Sequence, residues 1–412
     1  MQLSEELSWR GYVNQTTYKD LSDIDNESIT FYFGVDPSAD SMTIGHLAGI
    51  KMADCLIRHG HKAILLVGGA TAMIGDPDGK KAERDLKTVE EINSNKRGLV
   101  AQYQSLFKDG SVEIVDNYDW FKDINFLDFL RDTGKSVPMR QMLGRDFVST
   151  RMADDNAGLS YAEFSYVLIQ AYDYLHLYKD KQVTLQICGS DQWGNSIAGV
   201  DLVRRKTGGE ANVLSMPLII NQQTGVKFGK TEEGAIWLDP RKTTPTQFYQ
   251  FWINVDDSSV ETYLKIFTDL NKEQIQELLE QHQQNPGARI AQKKLAEEVT
   301  SWVHGPQNCK IAINVTQYLT GEKFLNDVDS ESLEVLKAEI PVVSTSSVVD
   351  ALTEAGLASS NTEARRLIAG NAVSINGQKS TKEQFEDSDF SSNRLLIRKG
   401  KAYKDSALVE KS

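Results

Sequence analysis

Cysteine is nearly absent from this 412-residue chain: Cys55, Cys188 and Cys309 stand far apart, with no CxxC pair. That spacing excludes a disulfide framework and a cysteine-bound zinc site, and a reducing, cytoplasmic compartment is the simplest expectation. Long apolar runs are missing too. The longest, from Ala63 to Ile74, is short and broken by Gly68, Gly69 and Thr71, and the N-terminus MQLSEELSWR is acidic without an apolar core. Neither a membrane span nor an export signal is expected. Proline is scarce at 9 residues and glycine stands at 29, which excludes collagen-like and low-complexity classes. An excess of basic charge is also lacking. The net charge of −13 argues against sequence-blind binding of nucleic acid over the whole surface, and leaves a local basic patch open.

With 40% hydrophobic and 25% charged residues, the chain is a folded globular protein long enough for two or three separate cores. Residues 29–35 (ITFYFGV) read as a buried strand, followed by a turn at Pro37, a helix over about 43–59 and a second strand over 63–67. A strand, helix, strand series of this spacing is a parallel crossover unit, which places ligands at the carboxyl ends of its strands. The pattern recurs as a helix over 161–178, a strand over 183–187, a helix over 192–205 and a strand near 217–220. Two such halves make one doubly wound α/β sheet. From 246 to about 319 the chain reads as helical, with starts at Asp257 and Asn271 and a stop near Asn285 and Pro286.

Residues 321–344 mix charge, serine and valine around Pro341 and read as a linker. Beyond it, Ser360 and Glu363 form a capping box, Gly370 ends that helix, and 373–375 run into the hairpin signal Asn376-Gly377. Residues 341–412 carry a net +1 and the rest −14. The bases of this tail concentrate at Arg365, Arg366, Arg394, Arg398, Lys399, Lys401 and Lys404.

Five segments carry candidate chemistry. In YFGVDPSADSMTIGH (32–46), a strand end, a polar turn and a helix start with Thr43 and His46 would offer donors and a positive dipole to phosphate oxygens. Gly34 and Gly45 leave room for a base or ribose. A plain helix cap at His46 explains the same residues equally well. The second turn, GGATAMIGDPDGKK (68–81), is neither a Walker loop nor G-x-G-x-x-G; it offers Asp76 to an ammonium, and Lys80 and Arg84 to phosphates or a carboxylate. On the 161–178 helix, Tyr166, Gln170 and Asp173 fall at i, i+4 and i+7, so a phenol, an amide and a carboxylate share one face. An aromatic core stripe accounts for Tyr166 and accounts poorly for Asp173, since buried carboxylates need partners. QICGSDQWGN (186–195) supplies Asp191 for a ribose or as a helix cap, and KFGKT (227–231) is a glycine loop with two lysines suited to a triphosphate.

In this order the five segments resemble the class I aminoacyl-tRNA synthetases, most closely the bacterial tyrosyl-tRNA synthetases, and 351–377 (ALTEAGLASSNTEARRLIAGNAVSING) resembles an S4-like RNA-binding domain. The resemblance covers nearly the whole chain. It implies a Rossmann-type, HIGH-motif catalytic domain over 1–240 with an inserted dimerisation segment near 120–160. After it would come an α-helical anticodon-arm domain over 241–320, the 321–344 linker and a small α+β RNA-binding domain over 345–412. It implies a ligase that activates L-tyrosine with ATP and Mg²⁺ and loads tRNA(Tyr) as a homodimer, with no membrane or DNA partner, no tightly bound cofactor and no protein-held metal. Tyr32 and Asp173 would bond the phenol of tyrosine; Tyr166, Gln170 and Asp76 its amino group; Gln186 and Lys80 its carboxylate. Gly34, Asp36, Ser38, Gly45, His46, Gly189, Asp191, Gln192 and Lys230 would line the ATP site. Thr43 to His46 stand at the HIGH motif, with Thr43 in place of its first histidine, and Lys227, Lys230 and Thr231 stand at the KMSKS loop. Together with Lys80 and Arg84 these make the expected catalytic set, and Arg365, Arg366, Arg394, Arg398, Lys399 and Lys401 the expected RNA-binding set.

Overall fold

The computed structural model describes residues 1–77, 86–139, 142, 148, 159–220, 228, 230–231, 234–400 and 403–411. Lys80, Arg84, Lys227, Lys401 and much of the 120–160 segment lie outside them. The chain divides into two compact units, Met1–Thr243 with Val255–Ala291, and Thr244–Asn254 with Gln292–Ser412.

The first unit runs α1 (Leu3–Arg10), β1 (Gln15–Thr16), β2 (Thr30–Val35), α2 (Ile44–Arg58), β3 (Lys62–Val67), α3 (Gly69–Ile74), α4 (Val89–Leu106) and β4 (Val112–Asp116). It continues with α5 (Tyr118–Phe121), α6 (Phe126–Asp132), α7 (Tyr161–Lys181), β5 (Val183–Gly189), α8 (Trp193–Thr207) and β6 (Asn212–Met216). The six strands lie in the order β1-β6-β5-β2-β3-β4. All neighbours are parallel except β1, which pairs antiparallel with β6 at the edge. Strands buried on both faces need continuous apolar runs, and β2 and β3 supply them as TFYFGV and KAILLV. The expected strand at 217–220 lies earlier, at Asn212–Met216; Pro217, with no N–H for the ladder, follows its end.

Helix α1 buries Leu3 and Leu7 and is also fastened by charge. Buried Arg10 donates to Glu6 at 2.7 Å and to the carbonyl oxygens of Lys265, Thr268 and Leu270 at 2.7–3.1 Å. Burial alone would raise the Glu6 carboxyl, but hydrogen bonds from His59 and Arg10 and the Arg10 and Arg58 charges hold it down at about 2. Glu6, Cys55 and His59 have ligand atoms close enough to surround a metal ion. The two guanidiniums on that carboxylate already neutralise it.

The helical stretch expected as a domain of its own over 241–320 is divided instead. Helices Val260–Phe267 and Lys272–Gln284 fall in the first unit, and Pro245–Ile253 and Pro306–Thr320 in the second. In the second unit, residues 321–344 are no linker. Helix Ser330–Glu339 is capped by Asp329, strand Val342–Ser344 pairs with Ser406–Glu410, and Leu325, Leu336 and Ile340 are buried with Val315, Leu319, Leu396 and Leu408. A five-stranded sheet closes the module, with the hairpin at Asn376-Gly377 joining Val373–Ile375 to Gln378–Lys379. Ser360 caps helix Asn361–Ala369 as expected, while the Glu363 carboxylate reaches back to Ser359 rather than to Ser360.

Removing Arg10 would strand three carbonyls and the Glu6 charge. Arg10→Ala should destabilise the protein by about 3–5 kcal/mol in urea unfolding, the cost of breaking a buried, multiply bonded ion pair; a loss below about 1 kcal/mol would contradict that account.

Candidate active site

A cavity of about 440 Å³ opens at the carboxyl ends of β2 and β5. That is where an open parallel sheet leaves room for ligands. Side chains of successive strand residues point to opposite faces, so Tyr32 of β2, in register with Gln186 of β5, falls on one side of the sheet, and Phe33 and Ile187 fall on the other. All four line the cavity, which therefore has two lobes around the end of β2.

The first lobe is polar. Tyr166, Gln170 and Asp173 of α7 line it together with Tyr32, Leu66, Thr71, Asp76, Gln186 and Cys188. Among the described residues, the Tyr32 hydroxyl, Gln170 Oε1 and Gln186 Oε1 are buried without a hydrogen-bond partner. Buried polar atoms without partners cost free energy that a ligand's own polar groups can return. The Asp173 carboxylate, by contrast, is held from β4's end: Asn117 Nδ2 donates to one oxygen at 3.1 Å and Trp120 Nε1 to the other at 2.9 Å. Burial nevertheless pushes its carboxyl up to about 8; the two hydrogen bonds pull it down, and the Asp36 and Asp116 charges add to the rise.

Between the lobes stands Asp36, which accepts from Thr71 Oγ1 at 2.6 Å and from the Tyr166 hydroxyl at 2.8 Å. The paired glycines after β3 make this possible. A Cβ on Gly68 would lie 2.1 Å from an Asp36 oxygen, and one on Gly69 2.3 Å from an Asp116 oxygen. Gln192 donates to Asp76 at 2.5 Å.

The second lobe is mostly apolar, with Phe33, Val35, Ala48, Gly49, Ile187, Met216, Leu218, Phe228 and Ala235, and with Ser38, Thr43, Gly45, His46, Gly189, Asp191 and Gln192 at its polar edge, while Gly34 shares the Tyr32 face of β2. Thr43 and His46 form a capping box at the start of α2, where the Thr43 N–H donates to His46 Nδ1 at 3.1 Å. The stretch past the lysine loop is stitched to this helix start: Ile44 N–H donates to the Ile236 carbonyl, Leu238 N–H to that of Met42, and Thr43 bridges Trp237. Phe228 packs its ring against Tyr263 and Phe267 at 4.5 and 5.7 Å between centroids, which anchors the middle of the KFGKT segment.

Comparison with known proteins decides the family. Residues 24–319 match the family described as tRNA synthetases class I (W and Y), and 332–404 match the tyrosine–tRNA ligase SYY-like C-terminal domain. Tyrosine–tRNA ligase 2 of Bacillus cereus is 42% identical over 97% of this chain and 98% of its own; the ligase of Bacteroides thetaiotaomicron is 43% identical over 92% of each. The chain belongs to the tyrosine–tRNA ligases of class I. Among solved structures, the C-terminally truncated mitochondrial tyrosyl-tRNA synthetase of Coccidioides posadasii matches with a TM-score of 0.69 at 30% identity, covering 76% of this chain and 91% of its own.

Measured against the ligase expectations, every described residue expected for tyrosine or ATP whose side chain is placed lines the one cavity. Lys230 and Thr231 are placed as a strand pairing with Gly234–Ala235. Three of the expected RNA-binding residues also bond within their own module. Arg394 pairs with Glu410, Arg398 donates to the Leu319 carbonyl, and Lys399 to that of Leu357. Arg365 and Arg366 are exposed. Thr71, Asn117, Trp120 and Phe228 were missed from sequence alone. Asn117 follows the carboxyl end of a strand, the position where ligand-proximal residues collect, and β4 itself carried the signal.

Because Asp173 is raised above its usual range, its charged form strains the fold. Stability drains away as pH climbs from the ordinary carboxylate range to about 8, and stays level above that. Asp173→Asn should therefore gain melting temperature relative to the parent between pH 5 and pH 8 in tyrosine-free buffer; a difference that stays constant with pH would refute the buried-charge account.

Proposed function

We propose that this chain joins L-tyrosine to ATP, giving tyrosyl-adenylate and pyrophosphate, and passes tyrosine to the 3′-terminal ribose of tRNA(Tyr). The observation that carries the proposal is the polar lobe, lined both by the Tyr32, Gln170 and Gln186 atoms that lack partners among the described residues and by the Asp173 carboxylate that Asn117 and Trp120 fix. A phenol hydroxyl placed between Tyr32 and Asp173 supplies the missing partner. An amino acid without that hydroxyl leaves those groups buried and unsatisfied, so selectivity follows from the cost of unmade hydrogen bonds. Tyr166, Gln170 and Asp76 would hold the ammonium, Gln186 and Lys80 the carboxylate.

ATP enters as its Mg²⁺ complex, the ion held by phosphate oxygens and water. In the second lobe the nucleoside would lie along the apolar wall, with Gly34, Asp36, Ser38, Gly45, His46, Gly189, Asp191 and Gln192 around the ribose and phosphates at the positive end of α2. The tyrosine carboxylate attacks the α-phosphorus, the bond to the β-phosphate oxygen breaks, and pyrophosphate leaves. Thr43, His46 and Thr231 donate hydrogen bonds to it; Lys227, Lys230 and Arg84 neutralise its charge. A ribose hydroxyl of tRNA then attacks the acyl carbon and AMP departs. No side chain becomes a covalent nucleophile, so the rate derives from positioning and electrostatics.

Exposed Phe126, Leu127, Met139 and Tyr161 offer an apolar surface for a second copy of the chain, and Arg365 and Arg366 a basic one for tRNA. A homodimer working in the cytoplasm is the assembly proposed.

Pyrophosphate exchange with each amino acid in turn is the decisive measurement. Tyrosine alone should support it, Tyr32→Phe and Asp173→Ala should erode the preference over phenylalanine, and an undiminished preference in both variants would overturn the phenol assignment. Lys230→Ala should slow activation by about 100-fold or more while leaving tyrosine affinity nearly unchanged, as expected of a group acting on developing charge; equal losses in both would assign Lys230 to substrate binding.

A further inference from the structure

We infer, resting on the ligase reading above, that Gln102 of α4 is a positioning residue for the helix start that carries Thr43 and His46, and that it acts through the turn at 37–42.

Residues 37–42 join β2 to α2 without belonging to either. Backbone outside helix and sheet takes its shape from whatever groups bond it, and α4 supplies several. Asn95, Gly98 and Gln102 fall at i, i+3 and i+7, so they share one face of that helix. Asn95 Nδ2 donates to the Pro37 carbonyl at 3.0 Å. Gln102 Oε1 accepts from the Met42 N–H at 2.8 Å, and its Nε2 donates to Ser41 Oγ at 2.8 Å. Between them, a Cβ on Gly98 would lie 2.0 Å from the Asp40 carbonyl oxygen. Glycine is unfavourable inside a helix; here it lets α4 lie directly against the backbone of the turn.

The stretch 238–242 grips the same turn from elsewhere. Asp239 N–H donates to Ser41 Oγ at 3.2 Å, Leu238 N–H to the Met42 carbonyl at 2.9 Å, and Lys242 pairs with Asp40. The two grips meet at Gln102: Ser41 Oγ accepts from Gln102 and from Asp239, and donates to the Met42 carbonyl at 2.8 Å. Met42 is the last residue before the cap in which the Thr43 N–H donates to His46 Nδ1. The peptide that Gln102 holds therefore leads straight into that cap. Gln102 stands outside the cavity lining, whereas Thr43 and His46 belong to it. Its bearing on the chemistry is the placement of those two groups, and misplacing groups that act on developing charge costs rate more than affinity.

The test compares Gln102→Met, which keeps the length of the side chain and removes both bonds, with Gln102→Glu. The glutamate keeps an acceptor for the Met42 N–H, and the Ser41 hydroxyl can turn its proton to the second oxygen. In tyrosine-dependent pyrophosphate exchange, Gln102→Met should lower kcat by about 10- to 100-fold, the scale of misplaced reacting groups, with KM for tyrosine within about twofold of the parent. Gln102→Glu should recover most of that loss. Residue-resolved hydrogen exchange without substrates is the second reading: the amides of Met42, Thr43 and His46 should all exchange faster in Gln102→Met and not in Gln102→Glu. Should Gln102→Met fail to fold, Gln102→Asn, one methylene too short to reach Met42, carries the same readings. A lowered melting temperature with the parent's kcat, a KM for tyrosine that rises as far as kcat falls, no recovery in Gln102→Glu, or faster exchange confined to Met42 overturns the inference. A parent chain without tyrosine-dependent exchange would sink the ligase reading instead, and hydrogen exchange would still decide whether Gln102 holds the helix start.

Discussion

A carboxylate taken out of water must be bonded or it will take up a proton, and the first unit is organised around that requirement at Asp173. Its two oxygens are reached from a different strand end by Asn117 and Trp120. Asn117 is itself fixed, accepting from the Ala70 N–H at 2.6 Å and donating to Thr71, which in turn donates to Asp36. The ends of β2, β3 and β4 and the middle of α7 are thereby joined through side chains. Even so the carboxyl stays high, because burial outweighs both hydrogen bonds and the Asp36 and Asp116 charges add to it.

Strand alternation does the rest of the sorting. Adjacent residues of one strand line different sides of the cavity because their side chains leave opposite faces of the sheet, Tyr32 into the polar lobe and Phe33 into the apolar one. The two faces of the sheet therefore give the cavity two differently lined sides that meet at the strand's end, near Asp36. A helix could not divide two sites at consecutive residues so cleanly, since its neighbours stand about 100° apart rather than 180°.

The α7 face was legible in the sequence because a polar triad at i, i+4 and i+7 within an apolar helix has few structural explanations. The glycine pairs were legible as punctuation, though their reason was not: Gly68 and Gly69 admit Asp36 and Asp116 oxygens, contacts between residues some 30 to 50 positions apart. Asn117 and Trp120 escaped because VEIVD (112–116) is a short, half-exposed edge strand that resembles surface sequence. The 321–344 stretch was misjudged for a related reason. Its charges lie on the outside of a helix whose Leu336, together with the flanking Leu325 and Ile340, is buried by partners beyond residue 390, so local composition concealed a long-range core.

Thr43, the departure from the family motif, has a structural task as well as any contact with phosphate. Its N–H donates to His46 Nδ1, and its hydroxyl lies 3.1 Å from the same nitrogen. A ring nitrogen that accepts from the backbone keeps the imidazole proton on Nε2, so the cap selects the tautomer in which His46 is a donor. The same helix start is bonded to residues 236–238, and Phe228 is held by Tyr263 and Phe267. Backbone bonds and a ring cluster therefore border the nucleotide lobe on the side where the chain passes from Phe228 to Leu238.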